Sequence, residues 1–297
     1  MLHGNFKLAG GRLAKATMLD ALSRIGLDTL DGRFYFASEL GQASMVDKML
    51  KNGGVNINRR SSDGSTPLLI AARRGHTITV MRLLKVLDIE INCQWVGNTA
   101  CTTLMLAAEN GDEAVVDRLL ALEVKVDVRD EFGSTALCCA ATHNKVAVVR
   151  QLLQAKAAPN IRKFRDNATP FLVAAQNGHV DVVRSLSFSL PATCSKSKRI
   201  SSGAILPFNN QLLHTSHWYT YKLVQILKDA GACTTDTLAD GSTALYLAVQ
   251  NGFNGVVKKL LKWGSDPNKI SNGQSLPWVA ASRGHCLLLE MLLAAGV

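Results

Sequence analysis

Apolar and polar positions along this chain fall into blocks, each opening on a hydroxyl and closing on two small residues. The clearest is Gly64-Ser65-Thr66-Pro67-Leu68-Leu69-Ile70-Ala71-Ala72-Arg73-Arg74-Gly75-His76, followed by Val80 and the pair Leu83-Leu84. Thr66 is placed to accept an orphan N–H at the start of a short helix, and Pro67 at the first helical position gives up no bond. Gly75 predicts the end of that helix, and Val80, Leu83 and Leu84 predict the apolar stripe of a second, antiparallel one. Asp63-Gly64 predicts a hairpin turn ahead of the pair. Cognate blocks start at Thr102, Ser134, Thr169, Ser242 and Gln274, and a weaker copy runs from Phe34 to Gly41.

The second small residue of each block is Ser38, Ala72, Ala108, Ala141, Ala175, Val249 and Ala281, so the steps are 34, 36, 33, 34, 74 and 32 residues. A fixed period near 33 is the mark of a repeat array. One pair of short helices cannot bury its apolar face alone, whereas a stack shares one continuous core. The period and the Thr-Pro-Leu helix start resemble the ankyrin repeat over roughly residues 33–186 and 222–297. The resemblance implies an all-α repeat solenoid, with helix-turn-helix units joined by β-hairpin loops.

The step of 74 exceeds one period by 41 residues, and the excess falls at 187–223, a Ser-, Pro- and Lys-bearing stretch. Either a degenerate repeat has lost its first helix, or a loop has been inserted into one repeat between Leu186 and Ile226. The insertion is favoured, because deleting it joins Leu186 to Leu227 in register. The expected organisation is therefore a degenerate capping repeat at 1–32, four to five repeats at 33–186, the irregular segment at 187–223, and at 224–297 the rest of the split repeat plus two more. The array ends directly after a second helix. The absence of a polar capping unit there raises the alternative of a fragment of a larger protein. Gly97 lies seven residues before Leu104 instead of four, so one hairpin is three residues longer than the rest.

Charge adds little to this picture. The chain has 33 basic and 23 acidic residues, a formal net charge of +10, which favours an acidic partner or nucleic acid without specifying a fold. The basic run Lys196-Ser197-Lys198-Arg199 reads first as a solvated loop and second as a nuclear-localisation or nucleic-acid patch. Lys7, Arg12 and Lys15 precede the first acid, Asp20, as in a transit peptide, but Gly10, Gly11 and Arg12 break any secretory apolar run. No uninterrupted apolar stretch reaches the roughly 18 residues of a membrane span. Seven scattered cysteines without a C-x-x-C favour free thiols in a reducing compartment, cytoplasmic or nuclear.

No phosphate loop, H-E-x-x-H or G-x-S-x-G is present, so no catalytic residue is expected, and neither is a metal or a cofactor. Cys139 and His143 share a helix face, but two ligands do not make a zinc site, and Cys139 takes the core slot of Ile70 and Leu106. His76, His179 and His285 follow the glycine position. The resemblance gives them a bond to neighbouring loop backbone.

The resemblance also implies a concave surface that docks a partner protein, built from hairpin tips and helix ends. At the tips the expected contact residues are Trp95, Val96, Glu131, Phe132 and Arg165, with Trp95 and Phe132 taken as solvent-facing aromatics. At the helix ends they are Arg73, Arg74, Glu109, Asn110, Thr142, His143, Gln176, Asn177, Gln250, Asn251, Ser282 and Arg283. These positions differ from unit to unit while Leu68, Ala71 and Leu84 recur. Asn58, Asn92, Asn160 and Asn268 lie eight residues after a leucine, where the resemblance implies an asparagine open to hydroxylation; asparagine is also a good turn former. The functional expectation is a monomeric, non-catalytic scaffold or adaptor for a protein partner. The alternative is the repeat region of a channel, kinase or ubiquitin-ligase receptor. A nucleic-acid binder ranks third, and its affinity would fall steeply with salt.

Overall fold

The computed structural model describes residues 29–95, 99–177, 224 and 226–297. The capping repeat expected at 1–32 lies outside them as far as residue 28, as do the whole 187–223 segment, Val96 and His179. The chain divides after Asn98 into two compact units.

The first unit contains α1 (Leu30–Glu39), α2 (Ala43–Asn52), α3 (Pro67–Arg73) and α4 (Thr77–Leu83). The second contains α5 (Thr103–Asn110), α6 (Glu113–Ala121), α7 (Ala136–Thr142), α8 (Val146–Gln154), α9 (Pro170–Asn177), α10 (Ala244–Gln250), α11 (Asn254–Lys262), α12 (Leu276–Ser282) and α13 (Cys286–Ala294). Within each unit, first helices pack on first helices and second helices on second helices: α1 on α3 and α2 on α4, then α5 on α7, α7 on α9, α9 on α10 and α6 on α8. Among the described residues β pairing is confined to isolated bridges such as Thr237–Thr243 and Ser271–Gln274, so the fold is an all-α repeat solenoid.

The capping hydroxyls are where the sequence puts them. Thr66 Oγ1 accepts the Leu69 N–H at 3.3 Å, Thr102 that of Met105 at 3.3 Å, and Thr135 that of Cys138 at 3.3 Å. Thr169 and Thr243 do the same for Leu172 and Tyr246. Such helices have seven or eight residues, too short to persist alone in water, so their stability comes from the faces they share. Those faces are small and dry. Ala72, Ala108, Ala141, Ala175 and Val249 are all buried, which lets neighbouring backbones approach closely.

Within each unit an asparagine bracket also ties one repeat to the next. Asn160 Nδ2 donates to the Gly231 carbonyl at 3.0 Å, and its Oδ1 accepts the Cys233 N–H at 2.9 Å. Asn58 does the same thirty residues ahead of itself, with the Asp88 carbonyl and the Glu90 N–H. Together with the buried Ile226 and Leu227 and the direct packing of α9 on α10, this gives 226–233 the place of a second helix and its following loop.

Candidate functional site

The hairpin tips are held to one another by a repeated bond. The carbonyl three residues before the helix cap accepts from the following tip: Thr99 from the Glu131 N–H at 3.0 Å, Phe132 from that of Phe164 at 2.8 Å, and Asp166 from that of Ala239 at 2.8 Å. In the first unit the equivalent carbonyl is that of Asp63, and its donor is a side chain, the Trp95 indole Nε1–H at 2.8 Å.

This corrects the expectation for Trp95. It is not a solvent-facing contact residue but is 1% exposed, with the Arg73 guanidinium 4.8 Å above its ring. Asp63 sits in a network of its own. Burial acts to raise its pKa, but hydrogen bonds from Ser65 and Ser61 outweigh that and hold the carboxyl below its usual range. The hairpin carrying Trp95 is the one three residues too long, and its indole supplies the donor that main chain supplies elsewhere. Sequence alone shows an aromatic near a tip, without the direction in which it turns.

Phe132 does remain on the surface, at 38% exposure, with the Arg165 guanidinium carbon over its ring, 5.5 Å from the centroid. Beside it Phe164, absent from the sequence-based set, is 60% exposed, with Arg129 over its ring at 4.2 Å. The in-plane N–H groups of Arg129 are taken up by the carbonyls of Arg162 and Gly133, and Arg162 itself pairs with Asp236. Glu131 is exposed at the same tip. The signal for Phe164 was its hydrophobicity among three cations, Arg162, Lys163 and Arg165, at a turn.

At the helix ends, Arg73, Arg74, Glu109, Asn110, Gln176, Asn177, Asn251, Ser282 and Arg283 are exposed, whereas Thr142 and Gln250 are half-buried. Part of this set is engaged in holding the stack. Asn177 Nδ2 donates to the Thr142 carbonyl at 3.3 Å, and Asn251 Nδ2 to the Gln176 carbonyl at 3.0 Å. His76 Nε2 reaches the Glu39 carbonyl at 2.9 Å and His285 Nε2 that of Gln250 at 3.3 Å, so both rings bond to the end of the preceding first helix. Arg74 pairs with Glu39 at 2.7 Å. His143 and Glu109 approach to 3.7 Å, both largely exposed. Gln176 is exposed at the end of its helix.

Of the hydroxylation candidates, Asn58 and Asn160 have both ends of the amide in the brackets described above, and Asn268 Nδ2 points to the Gly296 carbonyl at 3.5 Å. Asn92 is exposed. Burial pushes the Cys138 thiol up to about 11 and Cys139 well above its ordinary value, so both stay protonated at neutral pH and are poor nucleophiles. Among the described residues, no group of three or more His, Cys, Asp or Glu side chains is arranged to hold a metal ion. No described helix is long and apolar enough to cross a membrane.

Comparison with known proteins agrees with this geometry. The family model for ankyrin repeats in three copies matches residues 34–130 and 104–197, and the single ankyrin repeat matches 240–272. The chain is 33% identical over 148 residues to the ankyrin repeat and KH domain-containing protein mask-1 of Caenorhabditis elegans, an alignment covering 50% of this chain and 6% of that protein. It is 33% identical over 184 residues to the tyrosine-protein kinase Shark of Drosophila melanogaster, covering 62% of this chain and 19% of the kinase. It is 26% identical over 223 residues to the ankyrin repeat protein nuc-2 of Neurospora crassa, covering 63% and 20%. The chain thus spans a fifth or less of each of these relatives.

Proposed function

The chain belongs to the ankyrin-repeat family, and on that premise we propose that it is a non-catalytic scaffold or adaptor that docks a partner protein on its hairpin tips and helix ends. The observation that carries this is a division within each repeat. The small residue closing the first helix is buried at Ala72, Ala108, Ala141, Ala175 and Val249, while the residue after it changes along the array and is exposed at Arg73, Glu109 and Gln176. Packing fixes the first position and leaves the second open to a partner. The contact set is Arg73, Arg74, Glu109, Asn110, His143 and Gln176, with Gln250, Ser282 and Arg283 further along, and Glu131, Phe132 and Arg165 at the tips. Trp95 is excluded because its burial makes it core.

Charge fits a protein partner better than nucleic acid. Residues 99–177 hold nine basic and nine acidic side chains, so this stretch carries no net charge. The scaffold is taken to act as a monomer in the cytoplasm or nucleus.

The test is capture of a partner from matched lysate by the chain and by two variants, Phe132→Ala/Arg165→Ala and Gln176→Ala/Gln250→Ala, with thermal melting of each. At least one variant is expected to lose the partner while its melting temperature stays within a few degrees of the parent. Partner loss that always tracks a lowered melting temperature would reduce these residues to structural ones.

A second reading rests on the relatives. Because the chain matches a fifth or less of proteins whose names include a kinase and KH-domain proteins, it can serve as the repeat region of a larger protein whose activity lies elsewhere. An antibody raised to residues 240–272 distinguishes the two by apparent mass, since this chain alone is 32.0 kDa.

A further inference from the structure

The hairpins of the second unit are tied to one another in two ways, and both ties stop at the same place. One is the tip bond, which joins Thr99 to Glu131, Phe132 to Phe164 and Asp166 to Ala239. The other is an arginine just ahead of the residue that closes each hairpin. Arg129 donates to the Arg162 carbonyl, and Arg162 pairs with Asp236. One repeat further on, the acceptor position is the Asp240 carbonyl and the arginine position is Thr237. Among the described residues no donor reaches the Asp240 carbonyl, and threonine is too short to clamp the next hairpin. The space there is open as well as unbonded. A Cβ built at Gly133 falls 2.9 Å from the backbone nitrogen of the next tip, whereas one at the equivalent Gly241 has nothing within 4 Å.

The last hairpin accounts for the gap. In the earlier ones the closing N–H groups of Asp130, Lys163 and Leu238 reach the carbonyls of Ser134, Ala168 and Ser242. Ser271 closes on Gln274 instead, at 3.1 Å, and the Gln274 N–H returns to the Ser271 carbonyl at 3.0 Å. This hairpin is therefore one residue shorter than those of Asp130 and Leu238. Its turn, Asn272-Gly273, has φ of +52° and +70°, the two-residue turn that this dipeptide favours. The tip that the ladder calls for at Asp240 is thus folded back on its own strand. Ser271 is buried, and its Oγ has no partner among the described residues.

We propose that the notch between the Asp240 and Asn272 tips receives an extended segment of the partner protein, whose main-chain N–H donates to the Asp240 carbonyl in place of the missing tip. The inference rests on the scaffold reading and narrows it to one notch and to an extended, not helical, segment. The ladder itself selects this occupant. Each of its three bonds in this unit runs from main chain to main chain, so what continues it is a main-chain donor. The amides inside a helix are already bonded within it and have no N–H to give. The side chains of the segment and their charge are left free by this geometry.

The experiment is selection of random linear peptides displayed on phage against the whole chain, followed by replacing each amide of the strongest binder with an ester. One replacement is expected to weaken binding about three- to tenfold, the one that removes the N–H donated to Asp240. The amide resonances of Gly241 and Asn272 are expected to shift when the peptide is added. Thr237→Arg, first shown to melt like the parent, puts a clamp back across the notch and is expected to weaken the peptide about tenfold or more. A peptide that tolerates every ester, leaves Gly241 and Asn272 unshifted, or binds Thr237→Arg as well as the parent overturns the proposal. If that peptide is lost with Phe132→Ala/Arg165→Ala, the scaffold reading stands without the notch. Enrichment of nothing also overturns the notch, and the scaffold reading then rests on the lysate capture alone.

Discussion

Trp95→Ala is expected to destabilise the first unit by about 3–5 kcal/mol, the usual cost of removing a fully buried aromatic from a core. The ring is 1% exposed, its Nε1–H donates to the Asp63 carbonyl, and Arg73 covers its face. Truncation therefore opens a cavity and takes a donor from a tip carbonyl at once. Trp95→Phe separates the two effects, since it keeps most of the packing and loses only the hydrogen bond, at about 1 kcal/mol. Denaturant melts of the two variants followed by circular dichroism measure both. If Trp95→Ala melted like the parent and instead lost its partner, the tryptophan would be a contact residue after all.

The second large effect is expected at Gly133. Its φ is +79°, and a Cβ built there falls 2.9 Å from the Phe164 backbone nitrogen, the donor that bonds the Phe132 carbonyl. Gly241 occupies the same turn position with φ +81° and has nothing within 4 Å. Gly241→Ala thus meets only the left-handed backbone penalty, roughly 1–2 kcal/mol. Gly133→Ala meets that penalty plus a contact that no side-chain rotation can relieve, and the tip ladder at Phe132 and Phe164 has to shift. A stability loss for Gly133→Ala at least about 1 kcal/mol beyond that for Gly241→Ala is expected in denaturant melts. Equal losses would mean that the hairpins move apart freely.

What the sequence made legible is what repetition enforces. Thr66, Thr102, Thr135 and Thr243 cap first helices as their spacing requires, because a hydroxyl ahead of an apolar block has one good use and each unit restates it. Trp95 was misread for the opposite reason. It occurs once, in the one hairpin with extra residues, so no cognate position showed that an indole could stand in for a main-chain donor. Phe164 was visible as a residue but not as the tip donor to Phe132, since its hairpin carries one residue more than that of Glu131. At the helix ends, variation between repeats marked Asn177 and Asn251 for binding, yet both spend their amides on the preceding unit. Variation alone does not distinguish a side chain that reads a partner from one that fastens a neighbour.

The tip bonds described above all run one way. The donors are on the later hairpin, Glu131, Phe164 and Ala239, and the acceptors on the earlier, Thr99, Phe132 and Asp166. An amide hydrogen on an exposed turn ordinarily exchanges with solvent almost at once, but these three can exchange only when two neighbouring tips part. Their exchange rates thus become a gauge of coupling between repeats, independent of the helices, and the order in which they open under mild denaturant reports the direction in which the stack comes undone.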